Sequence, residues 1–137
     1  MNSKQKVAVI GGGSWATAIV KMLCENLDEV GWYMRSGYII EHIRRNKHNP
    51  NYLSSVNFEP EHLKFSEDIN EIIDYADYLI FAIPSAFLQG ELDNVTTSFE
   101  DKVIFSAIKG IVPESGLIVG EHFHDILKVP FENIGVI

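Results

Sequence analysis

The sequence has 137 residues, of which 46% are hydrophobic and 22% charged, and this is the size and composition of one globular domain. The net charge of −8 would repel a phosphodiester backbone, which excludes nucleic acid as a general partner. No apolar run is long enough for membrane insertion, and no secretory signal precedes the first predicted element. Cys24 is the only cysteine, so the chain cannot form an internal disulfide. We therefore expect a cytoplasmic protein.

Short apolar runs alternate with amphipathic segments along the chain. Short, mainly apolar runs predict strands over 6–10, 30–34, 63–65, 78–83, 102–106 and 134–137. Apolar residues spaced three or four apart predict helices over 15–27, 39–43, 69–76, 88–99 and 119–127. Ser66 is the predicted N-cap of the third helix.

Strands of this kind are typical of a parallel sheet that helices cover on both faces. Right-handed crossovers favour winding in both directions from the first strand. We therefore predict an α/β fold of the Rossmann type, a doubly wound, mainly parallel sheet with helices on both faces, over residues 1–137.

A glycine-rich segment follows the first predicted strand and opens the first predicted helix. Residues 11–16 match the pattern G-x-G-x-x-A of dinucleotide-binding proteins. In this pattern Gly11 allows a tight turn, Gly13 leaves the backbone open to a pyrophosphate, and Ala16 is small enough for the helix to pack on the sheet. Free N–H groups and the helix dipole favour the anion, and Ser14 can add a hydroxyl donor. The segment predicts a dinucleotide site.

The end of the second strand bears on which dinucleotide fits. NAD sites usually place an acidic residue there, about 20 residues after the glycines, to hold the ribose 2′-hydroxyl. Here the strand is followed by Arg35 and Ser36. A guanidinium cannot accept a hydrogen bond from a ribose hydroxyl, but it can pair with a 2′-phosphate or stack on adenine. Arg35 therefore favours NADP, or tolerance of both NADP and NAD. The alternative is a solvated surface arginine.

The carboxyl ends of the first, fourth and fifth strands are expected to face one crevice, because a doubly wound sheet binds ligands where its strand order reverses. Pro84 follows the fourth strand, and Lys109, the one cation of these segments, follows the fifth. This lysine either binds a substrate phosphate or polarises a carbonyl, or it lies in solvent. Trp15 either packs over the cofactor or lies under the first helix.

The histidines do not indicate a metal site. His122 and His124 project about 200° apart on a helix, so they do not converge on one ion. We interpret both as surface residues.

Five segments of the chain resemble the N-terminal half of the bacterial NAD(P)-dependent glycerol-3-phosphate dehydrogenase family. The motif Gly-x-Gly-Ser-Trp at 11–15, followed at this distance by Ser-Ala-x-Lys-Gly at 106–110, is far more specific than a glycine fingerprint alone. The other similar segments lie at 32–35, 49–53 and 81–85, and the resemblance extends over essentially the whole chain. Ala16 is a departure, since the family usually has glycine there.

The resemblance implies an oxidoreductase that interconverts dihydroxyacetone phosphate and sn-glycerol 3-phosphate for phospholipid synthesis. Hydride would pass between the nicotinamide of NAD or NADP and carbon 2 of the substrate. By the same similarity Lys109 would contact both cofactor and substrate, and Tyr52 is a candidate on the resemblance alone. The candidate cofactor contacts are Gly11, Gly13, Ser14, Trp15, Arg35, Ser36, Tyr52, Pro84 and Lys109.

The family continues beyond the last predicted strand into a helical C-terminal domain that holds the general-base lysine. That domain is absent from these 137 residues, so we expect no catalytic residue here and little or no activity of the chain alone. Two alternatives stay open, a related two-domain dehydrogenase of another small hydroxy compound and a stand-alone nucleotide-sensing module. The sequence also leaves open whether the full-length protein is a homodimer.

Overall fold

The computed structural model describes residues 5–137, along which strands and helices alternate except for three successive strands between residues 103 and 118. The strands are β1 (Val7–Ile10), β2 (Val30–Tyr33), β3 (Leu63–Ser66), β4 (Tyr78–Phe81), β5 (Val103–Ser106), β6 (Ile111–Val112), β7 (Leu117–Ile118) and β8 (Ile134–Val136). The helices are α1 (Ser14–Cys24), α2 (Gly37–Asn46), α3 (Ile69–Tyr75), α4 (Ser85–Leu92) and α5 (Val119–Asp125). None of these helices is long and apolar enough to cross a bilayer.

Six of the strands form one parallel sheet in the order β3-β2-β1-β4-β5-β8. The order reverses between β1 and β4, so the prediction of a doubly wound Rossmann-type sheet is confirmed. Ile10 lies opposite Phe81, and Phe81 lies opposite Ser106. The carboxyl ends of β1, β4 and β5 are therefore side by side, and the loops that follow them meet at one edge of the sheet.

Each face of the sheet has its own hydrophobic cluster. Along β1, Val9 belongs to the cluster that includes residues of α1 and α2, whereas Ala8 and Ile10 belong to the cluster that includes residues of α3, α4 and α5. Successive residues of a strand point to opposite faces, so a strand covered on both faces must be apolar at every position. This explains why the central strands read as continuous apolar runs.

Two local predictions are wrong. The N-cap of α3 is Asp68, whose carboxylate accepts the N–H of the residue two positions later, while the hydroxyl of Ser66 accepts the N–H of Asp68. Helix α4 ends at Leu92, and Val95 and Phe99 contact the core from the turns that follow. The short antiparallel hairpin of β6 and β7 was not predicted from the sequence.

Candidate functional site

The glycine turn after β1 is fixed tightly between two neighbouring strands. Gly11 has a φ of +134°, and a Cβ at this position would lie 2.3 Å from the carbonyl oxygen of Ala82. Its N–H donates to the carbonyl of Tyr33 at 3.0 Å, and its own carbonyl accepts from the indole Nε1 of Trp32 at 2.7 Å. Both the backbone angle and the close approach require glycine here.

The other end of the turn is open. Gly13 is the N-cap of α1, and a Cβ there would meet no atom within 4 Å. Among residues 5–137, no protein hydrogen bond uses the N–H groups of Ser14 or Trp15. Ala16 is fully buried where α1 packs on the sheet. The turn thus presents unpaired donors at the positive end of a helix dipole, which is the chemistry that binds a phosphate.

A crevice of about 470 Å³ opens in front of these donors, between the loops that follow β1, β4 and β5. Six of the predicted site residues line it, namely Gly13, Ser14, Trp15, Tyr52, Pro84 and Lys109. Trp15 is 48% exposed and Tyr52 is 44% exposed, so both rings border the opening rather than the core. For Trp15, the structure thus favours a position beside the crevice over one beneath α1.

Lys109 also borders a second opening of about 490 Å³ beside the first. Trp15 and Lys109 line both openings, and Ile137 lines the second. The lysine is exposed, and within residues 5–137 its ammonium group forms no ion pair or hydrogen bond. It is therefore a cation available to an anion that occupies either opening.

Arg35 and Ser36 lie at the end of β2 and do not line the crevice. The Arg35 side chain is 77% exposed, and its Nε is 3.4 Å from Oε2 of Glu91, a residue of α4 whose side chain is buried. The other oxygen of Glu91 accepts a hydrogen bond of 2.6 Å from the hydroxyl of Tyr33. Burial is the main cause that raises the pKa of Tyr33, and this hydrogen bond is the second, so the phenol stays protonated and donates. Ser36 caps α2 by accepting the N–H of Ile39.

The interpretation of His122 as a surface residue is wrong. His122 is 1% exposed, and its Nε2 is 2.7 Å from Oε1 of Gln89 while its Nδ1 is 2.8 Å from the hydroxyl of Ser115. The amide of Gln89 donates to Asp93, so its oxygen faces the histidine and Nε2 holds the proton. Burial lowers the pKa of His122, which is therefore a neutral structural link between α5, α4 and the β6–β7 hairpin.

Two polar residues near the site were missed as candidates by the sequence analysis. Glu91 lies beside Arg35, and Asn49 lies under the glycine turn with its side chain fully buried. Glu91 belongs to no motif with a known spacing. Asn49 begins the segment 49–53 that resembles the dehydrogenase family, but the resemblance assigned it no role, and both residues reach their partners only through the tertiary fold.

Residues 6–137 match the family model described as NAD-dependent glycerol-3-phosphate dehydrogenase N-terminus. A glycerol-3-phosphate dehydrogenase [NAD(P)+] of Pseudomonas syringae pv. syringae is 34% identical over 137 residues, which are 100% of this chain and 39% of that protein. A protein of the same name from Streptomyces avermitilis is 32% identical over 138 residues. The chain thus spans about two fifths of the length of the curated relatives it matches.

The fold is also shared with solved structures. The glycerol-3-phosphate dehydrogenase of Saccharomyces cerevisiae superposes with a TM-score of 0.77 at 22% identity, over 96% of this chain and 41% of that chain. At this level of identity the comparison supports the architecture alone.

Proposed function

The chain belongs to the NAD-dependent glycerol-3-phosphate dehydrogenase family, matching its N-terminal part, and from this premise we propose that the crevice binds NAD or NADP. We further propose that the protein interconverts dihydroxyacetone phosphate and sn-glycerol 3-phosphate, a reaction that supplies glycerophospholipid synthesis. The observation that supports cofactor binding most directly is the unpaired N–H groups of Ser14 and Trp15, which face a 470 Å³ crevice past an unobstructed Gly13.

The residues present fit a dinucleotide. The glycine turn would hold the pyrophosphate, because its donors are backbone groups with no side chain in front of them. Arg35 and Ser36, at the end of β2, would hold the ribose of the adenosine half or its 2′-phosphate. Trp15, Tyr52 and Pro84 would form the walls of the crevice and limit the access of water. When bound, the cofactor supplies or accepts the hydride.

Lys109 is the residue that we propose for contact with both ligands. It is exposed at the junction of two openings, and the first of these contains the glycine turn. An ammonium group at that junction can neutralise a cofactor phosphate on one side and a substrate phosphate on the other. No residue described here is proposed as catalytic, because the resemblance assigns the proton acceptor to the family's C-terminal domain.

Titration of the 137-residue chain with NADH and NADPH, followed by calorimetry or cofactor fluorescence, tests this proposal. We expect saturable binding by the parent chain and its loss in Gly13→Asp, whose carboxylate would stand in the path of the pyrophosphate. Gly90→Asp is the matched control, because a Cβ at Gly90 also meets no atom within 4 Å but lies outside the crevice. Absence of saturable binding at millimolar cofactor, or equal binding by the parent chain and Gly13→Asp, would contradict the proposal.

A further inference from the structure

A buried asparagine connects the glycine turn to the loop that holds Tyr52. Asn49 is 0% exposed, and its Nδ2 donates to the carbonyl of Gly12 at 3.2 Å and to the hydroxyl of Thr17 at 3.1 Å. That hydroxyl in turn donates to the carbonyl of Gly13 at 2.6 Å. One side-chain amide therefore reaches both of the last two glycines of the turn, one directly and one through Thr17.

The same side chain also holds the loop. Its Oδ1 accepts the N–H of Asn51 at 2.9 Å and the N–H of Tyr52 at 3.3 Å. Since a backbone N–H can only donate, these two bonds fix the oxygen toward the loop and the NH₂ group toward the turn. The orientation of Asn49 is thus determined by its surroundings, and both ends of its amide are in use.

Regular secondary structure does not fix the position of Tyr52. Between α2 and the short 3₁₀ helix Pro60–His62 the chain is irregular, and it includes Lys47 and Leu53 in the left-handed region, with φ of 67° and 53°. Tyr52 itself is 44% exposed. The bonds from Asn49 are therefore the direct polar connection between the Tyr52 wall of the crevice and the glycine turn.

We propose that Asn49 is a positioning residue that holds Tyr52 and the glycine turn in one fixed arrangement, so that a dinucleotide meets both at once. The inference rests on the proposed function, because it concerns how the same crevice is built. If Asn49 is lost, Tyr52 no longer has a defined position relative to Gly13, and its contribution to cofactor affinity should disappear with it.

A double-mutant cycle on NADH affinity tests the inference, using the parent chain, Asn49→Leu, Tyr52→Ala and the double variant. Asn49→Leu keeps the branched shape and the number of heavy atoms of the side chain but removes all four hydrogen bonds of its amide. We expect it to weaken NADH binding about tenfold or more. We expect Tyr52→Ala to weaken NADH binding in the parent chain. In the Asn49→Leu chain, the same substitution should reduce NADH affinity by less than about twofold.

Asn70 provides a matched control elsewhere in the fold. Its Oδ1 accepts the N–H groups of Thr96 and Thr97 at 2.7 and 3.1 Å, and its Nδ2 donates to the carbonyl of Asn94 at 3.0 Å. Asn70→Leu therefore removes the same kind of loop connection away from the crevice. It should lower the melting temperature and leave NADH affinity and the effect of Tyr52→Ala unchanged.

If Asn49→Leu does not fold, Thr17→Val is a milder variant that gives the same information. It is nearly isosteric and removes only the hydroxyl between Asn49 and Gly13. Thr17→Val should weaken NADH binding and reduce the effect of Tyr52→Ala.

Independent, multiplicative effects of Asn49 and Tyr52 would overturn the inference and leave the proposed function intact. Equal loss of affinity in Asn49→Leu and Asn70→Leu would also overturn it, because both would then act only through stability. A parent chain that does not bind NADH would remove the proposed function, and this inference with it.

Discussion

The indole Nε1 of Trp32 lies 2.7 Å from the carbonyl oxygen of Gly11, so a buried side chain of β2 holds the first residue of the glycine turn. Trp32 is 0% exposed, and its ring packs against Phe58 and Phe65 at centroid distances of 5.3 and 5.8 Å. The turn is thus anchored to the core at one end while Gly13 remains open at the other.

Replacing Trp32 by phenylalanine should destabilise the chain. The substitution leaves the buried carbonyl of Gly11 without its partner and removes part of the ring volume, so we expect the free energy of unfolding to fall by about 2 to 4 kcal/mol. Urea denaturation measures the change. Trp15→Phe, at a half-exposed ring, should alter it by less than about 0.5 kcal/mol. A Trp32→Phe chain as stable as Trp15→Phe would show that the indole bond is unimportant.

Gly11 and Gly13 should differ in their response to alanine. At Gly11 a methyl group meets a carbonyl oxygen at 2.3 Å and a φ of +134°, so we expect a loss of about 3 kcal/mol or more in unfolding free energy. At Gly13 the space is open, but alanine caps a helix less well than glycine, so the unfolding free energy should change by no more than about 1 kcal/mol. NADH affinity should nevertheless fall in Gly13→Ala. A Gly13→Ala chain that binds NADH as tightly as the parent would place the pyrophosphate elsewhere.

Arg35 should discriminate between the two dinucleotides. If its guanidinium meets a 2′-phosphate, Arg35→Ala loses a charge-assisted bond with NADPH, a cost of roughly 1.5 to 3 kcal/mol that NADH does not share. Parallel titrations with the two cofactors measure the difference. Equal losses for NADH and NADPH would indicate stacking on adenine instead.

Glu91 offers a complementary test of the same preference. Its carboxylate is 3.4 Å from Nε of Arg35 and places a negative charge beside the predicted position of the 2′-phosphate. Glu91→Gln removes that charge while retaining an oxygen for the Tyr33 hydroxyl. We expect it to strengthen NADPH binding relative to NADH. An unchanged ratio of the two affinities would show that Glu91 does not influence the choice of cofactor.

Lys109→Gln should weaken NADH binding several-fold, because an unpaired ammonium group is lost from the wall of the crevice. Raising the ionic strength should reduce the difference between the parent chain and the variant, since the contact is exposed to solvent. Lys128→Gln changes the net charge equally but lies outside both openings, and it should bind NADH like the parent. Identical affinities of all three chains would leave Lys109 as a solvated lysine.

His122 should make stability depend on pH. Burial lowers the pKa of this histidine in the folded chain, so the unfolded chain takes up a proton more readily. The free energy of unfolding should therefore fall as the pH drops below about 6.5, the ordinary histidine pKa, and should recover above it. His122→Gln cannot titrate and should show a flatter profile. Identical profiles for the parent and His122→Gln would contradict this assignment.

The fold could be predicted from the sequence because its signals are local. Apolar runs mark each main strand, and residues 11–16 identify both the turn and the start of α1. The end of α4 could not be predicted in this way. Val95 and Phe99 continue the helical spacing of Leu88 and Leu92, yet they lie in irregular chain and pack against the core from there. Spacing alone does not distinguish such a segment from a longer helix.

The lining of the crevice was predictable where it lies in a motif. Six of the nine predicted contacts line the crevice, and Gly11 approaches Ala82, which also lines it. The contact of all nine residues with a cofactor remains a prediction. The connections that support the site could not be predicted. Asn49 contacts Gly12, and Glu91 contacts Arg35, only after β2, α2 and α4 have packed. The residues of each pair are far apart in the sequence, and no repeating pattern of residue types marks them as partners.

Strand β1 is translated before the other strands of residues 5–137, and yet it occupies the middle of the sheet. It can pair with β2 early, but Val7 finds its other neighbour, Tyr78, only when β4 has been translated. At roughly 5 to 20 residues per second the nascent chain spends several seconds with an apolar strand bare along one edge. Synthesis of this protein therefore includes an interval in which a half-built sheet is open to misplaced strands or to chaperones.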